Sequence, residues 1–154
     1  KKTNIIIMKQ INLTVLALFM GLLALAQQSD SDAIIGSWYN QEKDGVVEIY
    51  KSGDTYSGKI TWMENPNDEN GSPKVDNLNP EKDLQSRPRM GMEIMNNFKL
   101  DEDKTWSNGE IYDPKSGKTY SGTITLKGEN TLDLRGYVGF PIFGRTAVWT
   151  RKFD

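Results

Sequence analysis

One stretch of this chain is written almost twice. Glu48-Ile49-Tyr50-Lys51-Ser52-Gly53-Asp54-Thr55-Tyr56-Ser57-Gly58-Lys59-Ile60-Thr61 returns as Glu110-Ile111-Tyr112, an inserted Asp113-Pro114, then Lys115-Ser116-Gly117-Lys118-Thr119-Tyr120-Ser121-Gly122-Thr123-Ile124-Thr125. Each copy reads as a strand, a Ser-Gly turn and a second strand, with glycine supplying the positive φ that tight turns demand. Tyr56, Gly58, Ile60 and Trp62 fall on one face of the second strand of the first copy, and Tyr120, Gly122, Ile124 and Leu126 fall on the corresponding face in the second. Two like hairpins predict a barrel or sandwich with quasi-symmetric walls. Mid-strand Gly58 and Gly122 mark either bends in the sheet or space for something packed there.

The rest of the pattern agrees. Ser37 to Asn40, Val46 to Lys51, Thr55 to Met63, Gly109 to Tyr112, Lys118 to Lys127, Thr131 to Val138 and Arg145 to Lys152 alternate as strands do, between turns rich in Gly, Asn and Asp. Met90 to Phe98 suits a helix face and a strand equally. From Glu64 to Pro88 the chain carries Pro66, Pro73, Pro80 and Pro88 and few apolar residues, which predicts one long loop. Aligning Gly71 with the invariant glycine of a calcium loop puts Pro66 and Asn77 at ligand positions, so the loop fails as an EF-hand.

Composition narrows the chemistry. The 154 residues include no His and no Cys, which excludes a thiolate nucleophile, a Ser-His-Asp relay, a thiolate or imidazole zinc site and a disulfide. No metal site and no cofactor are expected. From Met8 the chain reads Lys9, an apolar run from Leu13 to Leu25, and small residues at Ala24 and Ala26, the pattern of a secretory signal peptide cleaved after Ala26. Residues 1–26 are therefore expected to be removed and 27–33 to form a flexible N-terminus. The product is a periplasmic or secreted domain with no stable membrane anchor. Without Lys1, Lys2 and Lys9 the chain holds 16 basic and 21 acidic residues, net −5, which argues against nucleic acid and against anionic lipid as partners.

Gly36-Ser37-Trp38 opens the first strand and Trp149-Thr150-Arg151 ends the last. This resembles the closure device of lipocalins and their calycin relatives, in which an arginine lies over the indole and seals one barrel end; Gly36, Trp38 and Arg151 are the residues concerned. The longer set is more specific: Ile35-Gly36-Ser37-Trp38, Tyr56-Ser57-Gly58-Lys59-Ile60, Asp76-Asn77-Leu78-Asn79-Pro80, Arg87-Pro88 with Gly91, Gly109 through Tyr120, Leu134-Arg135-Gly136-Tyr137-Val138-Gly139, and Gly144-Arg145. It resembles the bacterial family called domain of unknown function 2147. The resemblance implies an exported lipocalin-like barrel with no assigned biochemical role. The expectation is thus an all-β domain over 34–154, a single antiparallel β-barrel of about eight to ten strands with one long loop and room for one short helix.

The same frame supplies candidate binding residues. Arg135 and Tyr137 share a strand face opposite Leu132 and Leu134. Turned inward, they resemble the Arg-x-Tyr pair with which intracellular fatty-acid-binding proteins hold a carboxylate; with the leucines inward, the site does not exist. Tyr56, Tyr120 and Trp62, with Trp106 and Tyr112, line an apolar cavity, stack on sugars or simply fill the core. Met90, Met92 and Met95 admit the same choice between cavity wall and core. Gly139-Phe140-Pro141-Ile142-Phe143-Gly144 is a tight apolar turn, a contact patch or rim if exposed and a plug if buried. Asp76, Asp83, Asp113 and Glu110 are the carboxylates open to acid/base work, with no spacing that pairs them. The reading that follows is a non-catalytic carrier of a small hydrophobic or amphipathic molecule. The alternatives are an envelope-associated glycan- or protein-binding module and a carboxylate-dependent glycan hydrolase.

Overall fold

The computed structural model describes residues 30–153; the segment read as a signal peptide lies outside them. Eight antiparallel strands, β1 (Gly36–Tyr39), β2 (Gly45–Ser52), β3 (Thr55–Met63), β4 (Glu93–Glu102), β5 (Thr105–Asp113), β6 (Lys118–Lys127), β7 (Thr131–Tyr137) and β8 (Arg145–Arg151), pair in chain order into a closed barrel. Closure comes from β1 against β8, where Trp38 lies opposite Arg151 and Tyr39 opposite Thr150. Closing the sheet removes the exposed edges that an open sheet of this size would leave. Among the described residues helix is limited to 3₁₀ turns over Asp30–Asp32, Lys82–Leu84 and Pro141–Phe143, and no helix is long and apolar enough to cross a membrane. Met90 to Phe98, open between helix and strand in the sequence, enters β4.

The hairpin repeat appears as β2–β3 and β5–β6, with the register shifted by two residues: Ile49 lies opposite Gly58, whereas its equivalent Ile111 lies opposite Tyr120 and Gly109 takes the place opposite Gly122, the shift that the inserted Asp113-Pro114 introduces. The second copy starts three strands after the first, and in an up-and-down barrel an odd offset reverses direction. The β2–β3 turn therefore points to one end of the barrel and the β5–β6 turn to the other. Residues equivalent in sequence, such as Tyr56 and Tyr120, land at opposite ends.

The mid-strand glycines make room for the chain's own side chains. A Cβ on Gly109 or on Gly122 would overlap the ring of Phe98, which is fully buried, and one on Gly58 would press on Met95 and Val47. Phe98 thus fills the barrel's middle. Ile34, Trp38, Ile49, Trp106, Ile124 and Leu132, all essentially inaccessible, pack the end that holds the N-terminal turn. Burial of side chains this large contributes on the order of 1.5–3 kcal/mol each, enough to hold a domain without disulfides.

Candidate functional site

One end of the barrel is sealed, and the seal is built from the chain entering β1. Trp38 Nε1 donates to Ile34 O at 2.9 Å and Trp106 Nε1 to Ser31 O at 3.1 Å. Asp32 Oδ1 accepts from Tyr56 Oη at 2.6 Å and from Lys51 Nζ at 3.0 Å, and these two donors, Tyr56 first, hold its carboxyl below the usual range. The guanidinium of Arg151 lies 4.1 Å from the Trp38 ring centre. It donates to Ala33 O, Ile35 O and Glu129 O at 2.8, 2.9 and 3.0 Å. Ser31, Ala33 and Ile34 thereby supply backbone acceptors to the seal, as indole N–H groups need acceptors once buried.

The other end is hollow. A cavity of about 900 Å³, near the top of the roughly 300–1,000 Å³ common for small-molecule sites, is walled by Val47, Ile60, Ile111, Leu134, Ala147 and Trp149. Tyr112, Tyr120 and Tyr137 also line it, and Asn40, Glu42, Asp44, Lys74, Arg89, Lys115 and Arg145 form much of the rim. Asp44 accepts from Asn40 Nδ2 at 2.6 Å and from Lys115 Nζ at 2.9 Å, linking the β1–β2 and β5–β6 turns. Both donors hold its carboxyl below the ordinary value, Asn40 the more strongly. Asp113 Oδ1 and Oδ2 cap their own turn through Lys115 N and Ser116 Oγ. Arg89 donates to Val75 O and Asn77 Oδ1. Among the described residues Lys74, Arg89 and Arg145 have no carboxylate within salt-bridge range. Arg145 shares its strand face with Ala147 and Trp149, so alternation turns it toward the cavity.

Of the five side chains expected to bind, Tyr120 and Tyr137 lie in the cavity wall and three do not. Leu132 and Leu134 are buried in the core, which puts Arg135 on the outer face, where it donates to Pro141 O at 2.8 Å and Thr146 Oγ1 at 2.9 Å. The inward Arg135–Tyr137 pair is therefore corrected; Tyr137 reaches the rim only because β7 ends there. Tyr56 belongs to the sealed end, packed edge-on to Trp106 at 6.3 Å. Trp62 is 42% exposed. Val46 faces Trp62 while Val47 faces Ile60, so Thr61 is the extra residue of a bulge that breaks the alternation and turns the indole outward. Its neighbour Tyr39 meets it at 84°, so the two rings share no flat platform for a sugar.

Comparison with known proteins now adds to this geometry. A family model described as an uncharacterised protein conserved in bacteria, DUF2147, matches residues 36–151. The chain belongs to the DUF2147 family. No curated protein matches it. A solved structure titled protein HP1028 from the human pathogen Helicobacter pylori, belonging to the lipocalin family, superposes with a TM-score of 0.68 at 22% identity, over 79% of this chain and 84% of that one. At that identity the likeness speaks to fold, and the fold it supports is the lipocalin-like barrel.

In this DUF2147 barrel the long β3–β4 connection is folded rather than a solvated acidic loop. Asp76, fully buried, accepts from Tyr112 Oη at 2.6 Å, Asn79 Nδ2 at 2.8 Å and Arg87 Nη2 at 2.8 Å. Burial alone would push its carboxyl up, but these three donors outweigh burial and hold it below the ordinary value. The Leu78 carbonyl fills the space where a Cβ on Gly117 would sit, so the β5–β6 turn needs glycine for contact as well as for its φ of +69°. Asp68 holds its own turn through Asn70 N and Ser72 N at 2.9 Å. Asp83 and Glu110 are exposed. Sequence reading singled out neither Arg145 as a rim cation nor Phe98 as the central plug. Counting by twos from Trp149 would have found the first.

Proposed function

We propose that this protein binds a small amphipathic molecule in the barrel, its apolar body in the cavity and an anionic group at the rim. One observation carries the reading: the hollow of about 900 Å³ is walled mainly by aliphatic and aromatic side chains, and its rim holds Arg145, Lys74 and Arg89 without carboxylate partners. An unpaired guanidinium offers a bidentate fork to a carboxylate, sulfonate or phosphate, and Tyr120 and Tyr137 line the same cavity. Glu42 is a rim acid without a salt-bridge partner among the described residues, and the three cations outnumber it. The carrier role supposes a site outside the cytoplasm, tested by whether the exported product begins at Gln27.

The test is a titration with anilinonaphthalene sulfonate and with fatty acids of graded length, read by fluorescence and native mass spectrometry. Saturable uptake at one site is expected. Ala147→Trp, which projects an indole into the hollow, should weaken it at least tenfold while leaving the far-ultraviolet spectrum intact. Arg145→Gln should weaken the anionic probes about tenfold, equivalent to about 1.4 kcal/mol, and leave a neutral alcohol of the same length unaffected. No uptake of any chain length by the wild type would end the proposal.

A further inference from the structure

The β7–β8 connection carries the four most exposed large apolar side chains among the described residues: Val138 at 72%, Phe140 at 71%, Ile142 at 79% and Phe143 at 78%. A soluble surface scatters such residues singly; a contiguous apolar tip signals something that covers it. The tip is also held in shape. Phe143 N donates to Phe140 O at 3.1 Å and Gly144 N to Pro141 O at 2.9 Å, and from below Arg135 Nε donates to Pro141 O at 2.8 Å. The arginine expected to hold a ligand is thus a brace for this turn. A braced turn presents its side chains without first losing conformational entropy on contact.

Charge says what kind of surface it meets. From Val138 to Gly144 the loop has no charged residue, and no acidic residue occurs between Asp133 and Asp154, while Arg135 and Arg145 stand at the loop's two bases. The net charge of −2 is an average over the molecule. At physiological salt, charges more than about 8–10 Å away are largely screened, so the local arginines govern what the tip approaches. Two copies meeting tip to tip would set arginines against arginines. A specific protein partner needs roughly 800 Å² on each side, more than one seven-residue turn presents, whereas a fluid bilayer accepts an apolar tip without matching its shape. Val138 and Phe143 are also cavity-lining residues, so the apolar surface runs without a break from the tip into the hollow.

We propose that the β7–β8 loop is a lipid-docking tip, by which the protein rests on an anionic bilayer with the mouth of its cavity against the membrane. The inference goes beyond the cavity reading and is tested on Phe140 and Ile142, which do not line the cavity.

Flotation with vesicles of phosphatidylcholine and phosphatidylglycerol in a four-to-one ratio tests it. Wild-type protein is expected to float with the vesicles, and Phe140→Asp/Ile142→Asp to float at least tenfold less while keeping its circular dichroism spectrum and its uptake of soluble anilinonaphthalene sulfonate. Ala147→Trp should still float although its cavity is obstructed, which separates failure of docking from failure of the cavity reading. Wild-type protein left in the aqueous fraction, or a double variant that floats as well as the wild type, overturns the proposal. So does a concentration-dependent dimer that the double variant dissolves when no flotation occurs, since the tip's occupant would then be a second copy.

Discussion

Gly36 sits at φ +131°, and a Cβ there would come within 2.8 Å of Arg151 Nη1. Backbone geometry and packing both demand glycine. Gly36→Ala is expected to lower stability by about 1–3 kcal/mol, the cost of holding a side chain in a region reserved for glycine. Arg151→Lys keeps the charge but loses the fork that reaches three carbonyls and the planar stack on Trp38. It should cost about 1–3 kcal/mol. Urea denaturation checks both, and ligand uptake at the far end should persist in each; unchanged midpoints would mean the end is not sealed through these residues. This device was legible because Gly-x-Trp and the terminal arginine stand at strand ends, where alternation is easy to count. Arg135 was misplaced for the opposite reason. Its strand admits two faces, and only the buried Leu132 and Leu134 decide between them.

At the scale of the element, the β3–β4 connection is anchored by Asp76. Its native carboxyl lies below the ordinary value, so its contribution to stability is complete above the unfolded value of about 3.9 and is lost as pH falls through the lower native one. Hydrogen-exchange protection along 74–89, taken relative to the intrinsic amide rate at each pH, should accordingly fall below about pH 4, ahead of the barrel strands. Asp76→Asn should show that loss of protection already at neutral pH, with little further change on acidification. Slow exchange in the variant at pH 7 would show that other contacts hold the segment. Nothing in the sequence announced this anchor, because an acidic, proline-rich stretch looks solvated until Tyr112 is brought to it from β5 and Arg87 folds back onto it from the stretch's own end. The hairpins were legible and their placement was not. Sequence periodicity is blind to the direction in which a strand runs, and that direction sends Tyr56 to the seal and Tyr120 to the cavity.

For the molecule as a whole, a filled core at one end and a hollow at the other separate stability from binding. Ligand at about a hundred times its dissociation constant should add about 2.7 kcal/mol to the folded state and raise the melting temperature of the wild type but not of Ala147→Trp, as scanning calorimetry would show. Phe98→Ala should cost about 3–5 kcal/mol, since the ring is fully buried between Gly109 and Gly122. Phe98 and the cavity-wall residue Ile111 both crowd the space over Gly122, which places the ring directly behind the hollow. In the proposed binding mode the plug would act as a ruler: a guest's tail would stop at the wall this phenyl group backs, and shortening the group should change the accepted length by a few carbons without altering how the head is greeted.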